Sequence, residues 1–146
     1  MPDAFRREFA ITHFFNPVRY MRLLELVAGE KTKPEIMEFF TEFGRFRLGK
    51  GIVFGKDTPN FIANRIGVYG MMLALKLTQD MRLKVEEVDA ITGPVMGRPK
   101  SATFRTADIV GLDTLGFVAQ TAFDKCEQDE AREMFQLPEV LQSLIE

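Results

Sequence analysis

The sequence predicts a mainly α-helical protein that carries three short β-strands in its first half. Three continuous apolar runs of six or seven residues, each followed by a Gly, Pro or Asp signal, have the length of buried strands. From about residue 57 onward the apolar residues instead recur at helical spacing. We therefore expect residues 1–56 to hold the strands and one helix, and residues 57–146 to be helical.

The composition is that of a globular protein without a metal or nucleic-acid partner. Of the 146 residues, 46% are hydrophobic and 27% charged, and the net charge of -2 offers no positive field to a polyanion. Cys126 and His13 are single residues of their kind, too few for a disulfide or a structural zinc site. No apolar run reaches the roughly 18 to 20 residues of a membrane span. These features predict a cytoplasmic protein that is not inserted in a membrane.

The three predicted strands do not form a convincing sheet by themselves. They cover about Phe9 to Phe15, Arg22 to Ala28 and Gly51 to Lys56, and Asn16-Pro17 separates the first from the second. Strands that are apolar along their whole length normally have neighbours in a sheet and cover on both faces. We therefore expect the chain to be the end of a larger protein.

One helix is predicted between the second and third strands. It begins at Thr32–Glu35, which has the form of a capping box with proline in the first turn, and should run to about Arg47. The segment Gly44–Lys50 also matches the spacing of a phosphate-binding loop. However, Gly51 stands where that motif has Ser or Thr, and a helix precedes it. A glycine-capped helix end explains the segment better.

The second part should begin with a long helix that starts at Asp57-Thr58-Pro59. Its predicted apolar stripe consists of Ile62, Ile66, Tyr69, Leu73 and Leu77. A short helix through Val88 should end at Gly93-Pro94, and another should begin near Asp113 or Thr114. Pro138 can open the last helix.

Two polar residues interrupt the first two apolar runs, and they are the main candidates for chemistry. His13 and Glu25 are flanked by aromatic or aliphatic residues, and a buried carboxylate must find a partner or give up its ionisation. Either residue alone could be an ordinary core residue. Together, on adjacent runs, they favour a general base and its orienting carboxylate, because histidine exchanges a proton near neutral pH. Asn64 lies about 200° from Ile62 around the long helix, off the predicted stripe, and by itself reads as a surface amide.

Five motifs keep the order and spacing of one enzyme family. They are His13 to Pro17, Leu23 to Glu25, Asp57 to Arg65, Gly97 to Asp108 and Val110 to Thr114. With them the chain closely resembles the NAD-dependent 3-hydroxyacyl-CoA dehydrogenases, from about Phe5 to at least Phe123. The Gly97 motif is most similar to large bacterial members that also carry an enoyl-CoA hydratase module. The resemblance implies that residues 1–56 are the last strands of a truncated Rossmann domain. Residues 57–146 would then be a helical domain of the 6-phosphogluconate dehydrogenase-like type that binds acyl-CoA and dimerises.

The resemblance also implies roles for four residues. His13 corresponds to the base that removes the proton of the substrate 3-hydroxyl, and Glu25 to the acid that orients it. Asn64 corresponds to the asparagine that hydrogen-bonds near the reacting oxygen, and Asn16 to the one that helps hold the histidine loop and the substrate. Asn60 departs from the glycine that most members have after the proline.

The function implied is the oxidation of 3-hydroxyacyl-CoA to 3-ketoacyl-CoA with NAD in fatty-acid β-oxidation. The sequence has no G-x-G-x-x-G turn, so we expect this chain, as a fragment of such an enzyme, to bind no NAD and to be inactive. Unpaired strand edges and apolar surface favour a homo-oligomer, most simply a dimer. Two alternatives stay open: a non-enzymatic helical oligomerisation or acyl-CoA-binding module, and another dehydrogenase with a helical C-terminal domain.

Overall fold

The computed structural model describes residues 1–138 and 141–142, and the chain falls into two compact units, residues 1–62 and residues 63–146. The first unit combines a three-stranded sheet with helices, and the second is helical in its described residues. The predicted fold class, mainly helical with three short strands in the first half, is confirmed.

The sheet of the first unit consists of strands β1 (Ala10–Phe14), β2 (Leu23–Ala28) and β3 (Gly51–Gly55), each within one residue of its predicted bounds. Strand β2 lies in the middle, antiparallel to β1 and parallel to β3. Its residues 24–27 are buried, whereas β1 is half-buried and β3 is partly exposed. Any polar side chain on β2 is therefore removed from water.

Two helices accompany this sheet: α1 (Asp3–Arg7) and α2 (Pro34–Glu42), which continues as a π-helical turn over Phe43–Arg47. The predicted end of the second helix at Arg47 is confirmed. The predicted capping box is wrong, because Thr32 does not cap the helix. Its hydroxyl instead donates to the Phe9 carbonyl at 2.6 Å and accepts from the Gly29 N–H at 2.8 Å. The loop before α2 is thereby hydrogen-bonded to the residue that precedes β1.

The segment that matched a phosphate-binding loop is a helix end, as the sequence favoured. Gly49 has a φ of +64°, the left-handed conformation that a glycine adopts after a helix. The ammonium group of Lys50, the lysine of the apparent motif, donates to the backbone carbonyls of Val18 and Met21. That side chain therefore secures the β1–β2 connection.

The second unit contains four α-helices and two 3₁₀ turns among its described residues. They are α3 (Ala63–Asp80), α4 (Val85–Thr92), a turn at Pro94–Met96, α5 (Phe104–Val110), α6 (Leu112–Lys125) and a turn at Arg132–Phe135. The predicted end of α4 is confirmed, α6 begins one residue before Asp113, and α5 was not predicted. Leu141 and Gln142 are helical, but most of the helix that Pro138 was expected to open lies outside the described residues. No described helix has both the length and the apolar character needed to cross a membrane.

Helix α3 corrects two expectations. It begins at Ala63 rather than at Asp57, because residues 57–62 form a turn in which Asn60 and Phe61 have φ values of +63° and +46°. Its buried face is also different from the predicted stripe. Ile66 is 68% exposed and Leu77 is 46% exposed. The fully buried residues of the helix are Val68 and Met72. The helix is apolar on several sides, so periodicity could not decide which side would be covered.

The core of the helical unit combines large side chains from α3 and the chain end with small ones from α6. Ala119 and Ala122 are completely buried, which allows the helices to approach closely. The other buried members of this core are Val68, Met72, Ala107, Leu115, Phe135 and Leu141.

An ion pair joins α3 to the segment after α6. The Arg65 guanidinium donates to the Asp129 carboxylate from two nitrogens, the Nε contact being 2.9 Å, and Asp129 also accepts from the Ala131 N–H at 2.8 Å. The hydrogen bonds from Arg65 and then from Ala131 lower the pKa of Asp129, and the hydrogen bond to Asp129 raises the pKa of Arg65. The carboxylate is thus stabilised in its charged form.

This ion pair predicts a pH-dependent contribution to stability. Because the pKa of Asp129 is lowered in the folded state, its contribution is complete above the ordinary aspartate pKa and is lost as the pH falls through the lowered value. Asp129→Asn should lower the free energy of unfolding at pH 7 by about 1 kcal/mol and flatten its decline in acid. Urea unfolding followed by circular dichroism at pH 7 and in acid measures both effects.

The matched control for that experiment is Asp80→Asn. Asp80 also forms an ion pair, with Lys76, but its side chain is 54% exposed. Its replacement should change stability by no more than a few tenths of a kcal/mol. Equal pH dependence in both variants would contradict the role assigned to Asp129.

A second prediction concerns Gly44 in the π-helical turn, which is buried against the sheet. A Cβ atom there would lie 2.6 Å from Ile52 Cδ1 and 3.1 Å from Leu24 Cδ2. Gly44→Ala should therefore destabilise the first unit by about 1 to 2 kcal/mol. Gly67→Ala on α3, where no atom lies within 4 Å of the new Cβ, should instead stabilise the protein by about 0.5 kcal/mol. Denaturant unfolding of the two variants tests the opposite signs.

Candidate active site

The two polar residues that interrupt the apolar runs lie side by side in the sheet. His13 on β1 and Glu25 on β2 are directly opposed in the antiparallel register, so their side chains point to the same face. His13 Nδ1 lies 2.6 Å from Glu25 Oε2. The register of the sheet therefore creates the pair.

The carboxylate of Glu25 is buried and held by hydrogen bonds to each oxygen. Its side chain is 1% exposed. One oxygen contacts His13, and Oε1 accepts from the Ile62 N–H at 3.0 Å. A buried carboxylate with hydrogen bonds to both oxygens keeps a fixed orientation and avoids the cost of an unpaired buried charge.

The imidazole of His13 is held on one side and open on the other. Its side chain is 27% exposed. Phe15 contacts the ring edge to face at 4.6 Å between centroids, and Phe61 lies at 5.7 Å. No described residue forms a hydrogen bond with Nε2. The aromatic neighbours limit ring rotation, and Nε2 is the nitrogen that a ligand can reach.

The turn at residues 57–62 supplies two groups that sequence reasoning missed. It brings the Phe61 ring beside His13 and the Ile62 N–H to Glu25. Both contacts depend on the positive φ angles of Asn60 and Phe61. Asparagine is the residue that tolerates this conformation best after glycine, so the departure at Asn60 is compatible with the turn. The feature of the sequence that indicates this turn is Asn60, directly after the helix-start signal Asp57-Thr58-Pro59.

This arrangement can transfer a proton at His13 Nε2. A carboxylate accepts hydrogen bonds, so the contact at Nδ1 fits the neutral tautomer in which Nδ1 carries the proton and Nε2 offers a lone pair. When Nε2 takes up a proton, the resulting imidazolium lies against a fixed negative charge. The pair is therefore suited to act as a general base and its orienting acid.

The structure places the two candidate asparagines differently. Asn16 is exposed, just beyond the end of β1 in the first unit, and precedes Pro17 in a cis peptide. Asn64 is half-buried at the second position of α3, in the helical unit. It lies four residues before Val68 and so shares the buried face of the helix, contrary to the expectation that it lies off the apolar side. Because its side chain is half-buried, Asn64 is not a fully solvated surface amide.

The described residues offer neither a metal centre nor a dinucleotide cradle. No group of three or more His, Cys, Asp or Glu side chains among them could hold a metal ion. A dinucleotide on a sheet of this kind needs a glycine-rich turn between a strand and a helix. The chain has no G-x-G-x-x-G sequence, and Gly49 and Gly51 belong to a helix end and a strand. The described residues by themselves therefore do not form a binding site for NAD.

Comparison with family models assigns both parts of the chain. Residues 3–58 match the model described as 3-hydroxyacyl-CoA dehydrogenase, NAD binding domain. Residues 61–146 match the model described as 3-hydroxyacyl-CoA dehydrogenase, C-terminal domain, which covers more than half of the chain.

Relatives and solved structures agree with that assignment. The chain is 51% identical over 144 residues to a probable 3-hydroxyacyl-CoA dehydrogenase of Bacillus subtilis, covering 99% of this chain and 18% of the relative. It is 50% identical over 117 residues to a probable 3-hydroxyacyl-CoA dehydrogenase of Deinococcus radiodurans, covering 80% and 34%. The crystal structure of (S)-3-hydroxybutyryl-CoA dehydrogenase from Ralstonia eutropha superimposes with a TM-score of 0.80 at 26% identity, covering 94% and 46%. The chain thus spans about a fifth and about a third of the length of these two curated relatives.

The site geometry predicts which nitrogen of His13 is protonated. Because His13 is the only histidine, its ring gives a single set of signals in a long-range ¹H–¹⁵N correlation spectrum. The neutral ring should carry its proton on Nδ1. Glu25→Gln should shift the ring toward the Nε2–H form, because an amide can donate to Nδ1. Glu30→Gln, at an exposed position, should leave the spectrum unchanged, and an Nε2–H ring in the wild type would contradict the assignment.

Proposed function

The chain belongs to the 3-hydroxyacyl-CoA dehydrogenase family, and from this membership we propose that it contributes the proton-transfer site of a whole enzyme of fatty-acid β-oxidation. That enzyme oxidises a 3-hydroxyacyl-CoA to the 3-ketoacyl-CoA with NAD. The observation that carries the proposal is the buried Glu25 carboxylate, 2.6 Å from the ring of His13, whose second nitrogen is open.

The chemical part of this chain is the removal of one proton. His13 Nε2 takes the proton of the substrate 3-hydroxyl as the carbon–oxygen bond becomes a carbonyl, and Glu25 stabilises the imidazolium that forms. This stabilisation is greatest in the transition state, where the positive charge on the imidazole develops. General acid–base catalysis of this kind accelerates a reaction by about 10²- to 10⁴-fold. The hydride acceptor NAD is not held by these residues, so no step through it is assigned to them.

The proposal also gives roles to two asparagines. Asn16 helps to hold the histidine loop and the substrate, and its exposed position after β1 supports that role. Asn64 hydrogen-bonds near the reacting oxygen, and its half-buried position in the first turn of α3 is in keeping with an amide that has a partner. Both roles are carried over from the family resemblance.

The same proposal covers the domain roles, the oligomeric state and the location of the whole enzyme. Residues 57–146 bind the acyl-CoA substrate and form a homo-oligomer, most simply a dimer, while residues 1–56 complete the NAD-binding domain. The enzyme works in the cytoplasm, where Cys126 would stay reduced. The chain of 146 residues alone is expected to show neither dehydrogenase activity nor NADH binding by titration calorimetry.

A chimera tests the proposed activity. The matching segment of the Bacillus subtilis relative, 51% identical over 144 residues, is replaced by this chain. The chimera should oxidise NADH in the presence of acetoacetyl-CoA. In it, His13→Gln should lower turnover by at least about 100-fold with little change in NADH affinity, because only the proton acceptor is lost.

The control in the chimera is Glu30→Gln, an exposed acid on the same unit, which should keep wild-type turnover. Turnover of His13→Gln within a few-fold of the parent would exclude His13 as the base. A folded chimera that binds acyl-CoA but never oxidises NADH would favour a non-enzymatic acyl-CoA-binding module. Activity only with substrates that lack CoA would favour another class of dehydrogenase.

A further inference from the structure

The first turn of α3, residues 63–66, carries Asn64 but contains no fully buried residue. Asn64 is half-buried and Ile66 is exposed, and the first fully buried residue of the helix is Val68, in the second turn. Gly67 follows this turn directly and has no side chain with which to pack. Helix ends fray unless contacts hold them, and a glycine within the helix makes fraying easier. The position of Asn64 therefore depends on the contacts that the rest of its turn makes.

The side chain of Arg65 links this turn to the segment that follows α6. Its Nε and a second guanidinium nitrogen both donate to Asp129 Oδ2, and the Nε contact is 2.9 Å long. Two charge-assisted hydrogen bonds leave the guanidinium little freedom to move. Because Arg65 directly follows Asn64 in the helix, an immobile Arg65 also limits the movement of the Asn64 backbone.

Asp129 is a rigid acceptor for these hydrogen bonds. Its side chain is 8% exposed, and its other oxygen accepts a backbone N–H at 2.8 Å. Arg132, three residues later, donates from Nε to the Phe123 carbonyl at 2.7 Å, and its guanidinium lies 4.5 Å from the centre of the Phe123 ring. Phe135 then enters the core of the helical unit. The segment that carries Asp129 is thus attached both to α6 and to the core.

We propose that Asp129 is a positioning residue for catalysis, which acts through Arg65 to hold Asn64 in place. The inference rests on the proposed function, in which Asn64 hydrogen-bonds near the reacting oxygen. Such a hydrogen bond requires placement to within about 0.5 Å, and a displacement of about 1 Å can lower a rate by about 100-fold. Neither Arg65 nor Asp129 has to touch the substrate for this effect.

Positioning can be distinguished from a contribution to stability alone. If the ion pair only stabilised the fold, its loss would lower the folded fraction of the enzyme, and the rate would fall by the same factor whichever residue stood at position 64. If the pair positions Asn64, its loss has no further effect on the rate once the Asn64 amide has been removed. The two roles therefore give different results in a double-variant cycle.

The cycle is measured in the chimera with the Bacillus subtilis relative. Asn64→Ala should lower kcat about 100-fold and Asp129→Asn about tenfold, with KM for acetoacetyl-CoA within about threefold of the parent. The double variant Asn64→Ala/Asp129→Asn should be no slower than Asn64→Ala alone. Asp80→Asn is the control, because its exposed ion pair lies at the other end of α3, and it should keep the parental turnover.

Two kinetic outcomes would overturn the inference in an active chimera. One is a double variant about tenfold slower than Asn64→Ala, and the other is an Asp129→Asn variant with kcat within about twofold of the parent. A chimera that never oxidises NADH would contradict the proposed function, and the inference would then be decided by a measurement that needs no activity.

Amide hydrogen exchange of the 146-residue chain provides that measurement. In a helix the N–H groups of Gly67 and Val68 bond to carbonyls of the first turn, so they exchange when that turn frays. Asp129→Asn should raise their exchange rates at least about fivefold more than that of the Met72 N–H, which lies more than two turns into the helix. An equal increase at all three would show a loss of global stability alone and would overturn the inference.

Discussion

The structure of the first unit depends on one buried carboxylate. Glu25 lies on the central strand, and a charge at that position is tolerated only because both oxygens are hydrogen-bonded. One partner, His13, comes from the neighbouring strand, and the other, the Ile62 N–H, comes from the turn after the third strand. A single side chain on β2 thus connects β1 with the turn after β3, and the same contacts fix the position of the histidine ring.

Two of the acid–base pairs among the described residues differ in what they can do. The Arg65–Asp129 pair connects parts of the helical unit, and a guanidinium keeps its proton at every physiological pH, so the pair can hold structure but cannot transfer a proton. In the His13–Glu25 pair the base is an imidazole, a ring that can both accept and donate a proton, and the acid is held by hydrogen bonds to both oxygens. The difference between the two pairs lies in the base, because an imidazole can accept and release a proton whereas a guanidinium keeps its proton.

Sequence reasoning succeeded for the strands and failed for some helix details, for identifiable physical reasons. Short apolar runs that end at Gly, Pro or Asp signals indicated the strands to within one residue, but of the three only β2 is buried as expected. The capping box failed because Thr32 found a tertiary partner, the Phe9 carbonyl, that local sequence does not reveal. The buried side of α3 was misassigned because several of its faces are apolar, and α5 was missed because a helix of seven residues has too few turns to show a period.

The amino-acid sequence by itself determined the fold class, the family resemblance and the choice of His13 and Glu25, because a charged residue within an apolar strand is conspicuous without a structure. Only the tertiary structure decided which nitrogen of the histidine is held, that a backbone N–H completes the site, and that Phe61 borders the ring. A backbone donor has no residue identity to read, and its position depends on the φ angles of a turn. Likewise, phenylalanines at helical spacing predict burial, but which of them are covered depends on what packs against the helix.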